Sequence, residues 1–185
     1  MTHIYTAREF NLPTELPGLS TKQIEVHLGL YNGYVTHVNK LQEQINELSK
    51  GGGNAYAITE TRRRLGFEFN GMRMHEYYFN QLEGSAQERD ASSIITDEIL
   101  AQIKEVAMSR GIGWTVAYWD ATANEVVVAW VSDHELGTLA GLPIIFAIDM
   151  WEHAFMVDYT PVEKAQYVDA YLSNVNWSVV DGRLS

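Results

Sequence analysis

Six histidines stand in a chain that has no cysteine. Any metal held here must therefore be taken by nitrogen and oxygen donors, and a thiolate centre, a disulfide framework and a cysteine nucleophile are all excluded. The densest grouping of such donors is Asp149-Met150-Trp151-Glu152-His153, directly after an apolar run from Leu142 to Ile148. An acid at a strand end and a histidine four residues on, in the turn beyond, can face one ion, and carboxylate plus imidazole suits iron, manganese or zinc. His27, between Val26 and Leu28, and His75, among Met72, Phe79 and Leu82, fall on or near the apolar phase of two helical stretches. A buried imidazole is costly without a hydrogen bond or a metal, so each of the two needs one or the other. His3, in the polar start, and His37, with no partner in matching phase, read as surface histidines. A twin Glu-x-x-His centre is excluded because Ile24, Met72 and Met150 lie three before His27, His75 and His153, and there is no His-Glu-x-x-His or glycine-rich phosphate loop.

The elements that must position these groups can be read from spacing. From Thr21 to Lys50, apolar residues at Ile24, Leu28, Tyr31, Val35, Val38, Leu41, Ile45 and Leu48 mark one long amphipathic helix, stopped by Gly51, Gly52 and Gly53. A second helical stretch runs from about Asn54 to Leu82, and the two form an antiparallel hairpin. The polar run from Glu83 to Ser93 reads as a linker, dividing an N-terminal domain, 1–86, from a C-terminal one, 87–185. Thr96 caps a helix with Asp97 and Glu98 in its first turn, which Gly111 ends after Arg110. Trp114 to Trp119 and Glu125 to Val131 are strand-like and flank a turn at Asp120 to Asn124; Leu142 to Ile148 supplies a third strand. Pro161 to Val180 reads as helix. The fold class is α+β, a helical hairpin followed by a three-stranded sheet with helices.

A chain of 185 residues, 46% hydrophobic and 20% charged, can bury a substantial core. Its net charge of −11 argues against binding nucleic acid or anionic membranes, and no apolar run approaches a membrane span. The first ten residues carry no apolar core of the kind a secretory signal needs, so a cytoplasmic location is expected.

Asp149-Met150-Trp151-Glu152-His153-Ala154 resembles the Asp-x-Trp-Glu-His-Ala segment of iron/manganese superoxide dismutases. Further segments are similar in the right order: His75-Glu76-Tyr77-Tyr78-Phe79-Asn80-Gln81-Leu82, Gly111-Ile112-Gly113-Trp114, Asn174-Val175-Asn176-Trp177, and Asn32-Gly33-Tyr34-Val35 after His27. The resemblance implies a metal between the two domains, one iron or manganese ion per subunit, held by His27, His75, Asp149, His153 and a solvent molecule. It implies turnover of superoxide to dioxygen and hydrogen peroxide, with Tyr34 at the gateway and Trp114 and Trp151 around the site. A family glutamine near the bound solvent would stand at Gly71 or, fifteen residues before Asp149, at His134. His134 resembles the histidine of some iron-using or metal-flexible members, which favours iron. The alternative is a metal-binding homologue with weak or no dismutase activity.

Three departures from the family pattern bear on that choice. His27 and Tyr34 are seven apart, one fewer than usual, so both can face the site from a regular helix without the bulge that the longer spacing needs. The family's histidine and tyrosine that bond across the dimer interface correspond to Leu30 or Tyr31 and to Met156, so both ends are gone. Glu152, which in the family reaches the other subunit's last histidine ligand, is retained, so a homodimer, or a tetramer of paired dimers, is still expected. Finally, His75 to Trp114 is shorter by roughly one short helix. Arg62, Arg63, Arg64 and Arg73 either steer the anionic substrate or form a solvated helix face.

Overall fold

The computed structural model describes residues 3–52 and 54–184, so that Gly53, the last of the glycine run, lies outside the described residues. Helix α1, Thr21–Lys50, starts where the Ser20 hydroxyl accepts from the Gln23 N–H and ends where Gly51 N–H bonds Glu47 O. It is α-helical throughout, with no widened turn between His27 and Tyr34. Asn54 caps helix α2, Ala55–Asn80, by accepting from Tyr56 N–H. The facing pairs His27 with Phe79, Tyr31 with Glu76 and His37 with Glu68 show that the two helices run antiparallel.

Helix α3, Asp97–Ala107, begins at Thr96, whose hydroxyl accepts from Ile99 N–H. It ends three residues earlier than the position of Gly111 suggested. Met108 and Ser109 N–H bond back only three residues, to Glu105 O and Val106 O, which tightens and closes the last turn. Strands β1, Gly113–Asp120, β2, Glu125–Ser132, and β3, Ile144–Asp149, form one antiparallel sheet in the order β2-β1-β3. Gly113 (φ +154°) can only be glycine, since a Cβ there would lie 2.2 Å from Val131 O. The β1–β2 turn is held by the Asp120 carboxylate, which accepts from Thr122 and Ala123 N–H. Strand β3 starts at Ile144 rather than Leu142, because Pro143 has no N–H to give the ladder; its carbonyl still accepts from Trp119 N–H.

The stretch expected as one last helix is divided. A short 3-10 turn, Pro161–Glu163, leads into α4, Lys164–Ser173, and after a break comes α5, Trp177–Asp181. The break arises where the Asn174 side chain bonds Ala170 O and Pro17 O, and where Asn176 N–H is taken by Gln81 O. Gln81 also ties the hairpin to the sheet: its side-chain amide bonds Ala147 in both directions, acting as a strand partner for β3. The core fills the space between hairpin and sheet, with Tyr31, Met72, Tyr78, Phe79, Trp114, Phe146, Tyr167 and Tyr171 all buried. Among the described residues no helix is long and apolar enough to cross a membrane.

Candidate metal centre

His27 from α1, His75 from α2, Asp149 at the end of β3 and His153 in the 3-10 turn Glu152–Ala154 offer one donor atom each within 4.8 Å of one another. His75 decides what the group can be. Its Nδ1 lies 2.6 Å from the carbonyl of Gly71, one turn earlier on α2, and a carbonyl only accepts, so the proton sits on Nδ1. The buried Nε2 is then a bare lone pair with no hydrogen-bond partner among the described residues, 3.6 Å from Asp149 Oδ2. Two acceptors facing each other repel, and a cation between them removes the repulsion.

The other two imidazoles present the same edge, with His27 Nε2 3.0 Å and His153 Nε2 3.2 Å from Asp149 Oδ2. Donors about 2.1 Å from a common ion and about 90–120° apart lie about 3.0–3.6 Å from each other, so the three imidazole distances to Asp149 Oδ2 suit one small cation shared with that oxygen. Asp149 is aimed by its surroundings: Oδ1 accepts from Trp151 N–H at 2.8 Å, and its backbone carbonyl accepts from the Tyr167 hydroxyl at 2.8 Å. Burial opposes ionisation of this carboxyl, but the neighbouring His153 and His27 imidazoles and the hydrogen bonds they make to it outweigh it and hold the pKa well below the usual range. Burial lowers the pKa of His27 and, much further, of His75, which keeps both neutral and ready to ligate.

A second group lies against this one. Tyr34, whose ring centre is 5.0 Å from that of His75, brings its hydroxyl to 2.7 Å from His134 Nε2, and the indole N–H of Trp114 donates to His134 Nδ1 at 2.9 Å. His134 is buried, and desolvation pushes its pKa down to about 4. Burial, then the charges of Asp149 and Glu68, push the Tyr34 hydroxyl well above its ordinary value. Trp151 stacks on His134 with centres 5.0 Å apart, and Phe67 meets it edge-on at 4.6 Å. Glu152 is exposed beside His153, itself 21% exposed, while Leu30 and Met156 lie on the surface.

Two contributors, Gln23 and Asn70, escaped sequence reading. Gln23, buried one helical turn before His27, donates to His153 O and accepts from Val157 N–H, so helical phase could have found it. Asn70 donates to His134 O at 2.9 Å, a contact across sixty-four residues with no local signal. Gly71 is needed by its neighbour, since a Cβ there would stand 2.6 Å from the Tyr34 ring. His37 Nδ1 lies 3.9 Å from Glu68 on the surface, and His3 is exposed. Arg63, Arg64 and Arg73 each pair with a glutamate of α2, which favours the solvated-face reading.

Comparison with known proteins agrees with this geometry. The family model described as "Iron/manganese superoxide dismutases, C-terminal domain" matches residues 89–183. The chain is 31% identical to an iron superoxide dismutase of Aquifex pyrophilus, over 92% of this chain and 86% of that protein. It is 31% identical to an iron superoxide dismutase of Cupriavidus metallidurans, over 89% of this chain and 88% of the relative. A manganese superoxide dismutase of Mycobacterium leprae is 27% identical over 90% of this chain and 85% of its own length. Since the likeness runs through hairpin and sheet alike and takes in every segment that meets at the centre, the chain belongs to the family of iron/manganese superoxide dismutases.

Proposed function

We propose that this protein is a superoxide dismutase, converting superoxide to dioxygen and hydrogen peroxide at one iron or manganese ion held by His27, His75, Asp149 and His153. The observation that carries the reading is the bare His75 Nε2 aimed at Asp149 Oδ2, with two further imidazole nitrogens beside it. When bound, the ion supplies one-electron exchange between its +3 and +2 states. The ionised Asp149 offsets part of that charge, and the neutral imidazoles complete the donor set. Tyr34 keeps its proton at neutral pH and holds it beside the centre, joined to His134, while Trp114, Trp151 and Phe67 screen the pair from bulk water.

Iron is favoured over manganese by His134 in the usual glutamine place and by the iron proteins among the relatives. On this reading residues 1–86 and 87–185 are the two domains, with the metal between them, and the protein works in the cytoplasm. A homodimer is supported by the exposed apolar side chains of Val26 and Leu30, close in sequence to His27, and of Met156 and Val157, close in sequence to the partly exposed His153, with Glu152 exposed as well; a tetramer would pair such dimers. Metal analysis with a superoxide-scavenging assay on the purified protein tests the proposal. Iron or manganese together with scavenging is expected, and a metal-loaded protein that does not scavenge overturns it. Sizing in solution separates monomer, dimer and tetramer.

A further inference from the structure

We propose that Trp114 is a positioning residue that fixes the proton of His134 on Nε2, so that His134 donates to Tyr34 and the Tyr34 hydroxyl keeps its own proton to give to whatever enters the centre. The inference rests on donor and acceptor roles. An indole N–H can only donate, and Trp114 Nε1 lies 2.9 Å from His134 Nδ1, so Nδ1 must be a lone pair. A neutral imidazole with a bare Nδ1 carries its hydrogen on Nε2. That hydrogen points at the Tyr34 oxygen, 2.7 Å away. The tyrosine is then the acceptor of this bond, and among the described residues its own O–H makes no other hydrogen bond.

The alternatives fail on the same contacts. The other tautomer, or the imidazolium, would set Nδ1–H against the indole N–H at a hydrogen-bond distance, two donors facing each other. Turning the ring over would replace both nitrogens by carbon and break both bonds. The ring is also clamped: Trp151 stacks on it, Phe67 meets its edge, and Asn70 holds its backbone carbonyl. Trp114 itself is fully buried on β1, paired in register with Asp149, so the group that sets the proton is fixed to the strand bearing the carboxylate donor.

Tyr34 is held from its other side by what Gly71 lacks. A Cβ at residue 71 would stand 2.6–2.7 Å from two carbons of the Tyr34 ring, so that ring occupies the room a larger residue would need. The ring is thereby seated against α2, and among the described residues the hydrogen bond of its hydroxyl is the one to His134. In a glutamine the same task falls to an amide, which carries donor and acceptor on separate atoms. A histidine needs an outside group to choose its tautomer, and Trp114 is that group.

The catalytic consequence rests on the dismutase reading, whereas the tautomer is a property of the chain alone. The test uses full-length, metal-free protein labelled with 15N-histidine, with the His134 signals assigned by their loss in His134→Gln. The expected spectrum shows Nδ1 unprotonated and Nε2 carrying the hydrogen; a protonated Nδ1 or a mixture of tautomers overturns the proposal. In Trp114→Phe the single tautomer should be lost, and scavenging should fall about tenfold at unchanged metal content, the value of one hydrogen bond. If the variant keeps the Nε2–H form, Trp114 does not set it and the proposal fails; if the variant does not fold, the wild-type spectrum decides. An inactive wild-type protein with the expected spectrum would overturn the dismutase reading while upholding this one.

Discussion

The helical hairpin and the sheet half build the same centre by different means. His27, Tyr34 and His75 project from two uninterrupted helices, where direction follows from phase: seven residues from His27 to Tyr34 are nearly two turns, so both face the centre. His134, Asp149 and His153 stand on a loop, a strand end and a 3-10 turn, where no period sets direction. Just before His134, Asp133 adopts a left-handed conformation (φ +50°), a shape that aspartate tolerates better than most residues. Each group of the sheet half is therefore aimed by its own hydrogen bond: Trp151 N–H to Asp149, Gln23 to His153 O, Asn70 to His134 O. A regular scaffold fails through space, and an irregular one fails through lost bonds.

Losing a donor from either half should do the largest and most equal damage. His75→Ala and Asp149→Ala are each expected to abolish iron or manganese binding, and with it the stabilisation that metal gives, so that a chelator no longer changes the melting temperature. Retention of metal by one variant alone would show that a single half holds the ion.

Acid sharpens the comparison next. His134 stays neutral in the folded protein down to about pH 4, whereas the unfolded chain takes up its proton below about 6.5. Its contribution is therefore intact above pH 6.5 and is lost as pH falls, about 3 kcal/mol by pH 4. Urea unfolding of metal-free protein at pH 7, 5.5 and 4 should show this loss, and His134→Gln should lack that part of it. Equal slopes in the two proteins would contradict the burial of His134.

Steric and bonding changes are expected to be smaller. Gly71→Gln on the regular half should cost about 1–3 kcal/mol by driving a side chain into the Tyr34 ring, with the Tyr34–His134 bond broken. Asn70→Ala should cost about 1 kcal/mol, the value of its bond to the irregular His134 loop, and leave metal content unchanged. If the order of these two were reversed in urea unfolding, the contrast between the halves would fail.

The same contrast explains what the sequence made legible. The hairpin was readable to within about two residues, because apolar spacing and glycine stops act within one helical turn. The grouping Asp149 to His153 was readable as a motif, although the strand before it starts two residues late because of Pro143. The divided last helix was not legible, since Asn174 and Asn176 break it through partners at Pro17, Gln81 and Glu83, distant in the chain. The place of His134 could be counted from Asp149, but its clamp by Trp114 and Asn70 is a matter of tertiary contact.

The most direct test of the central claim is to strip the protein with a chelator, add back iron or manganese in steps, and follow superoxide removal against metal bound. The account predicts activity rising in proportion to bound metal and saturating at about one ion per chain, with no gain in Asp149→Ala. Activity independent of bound metal, or restored equally in Asp149→Ala, would contradict it.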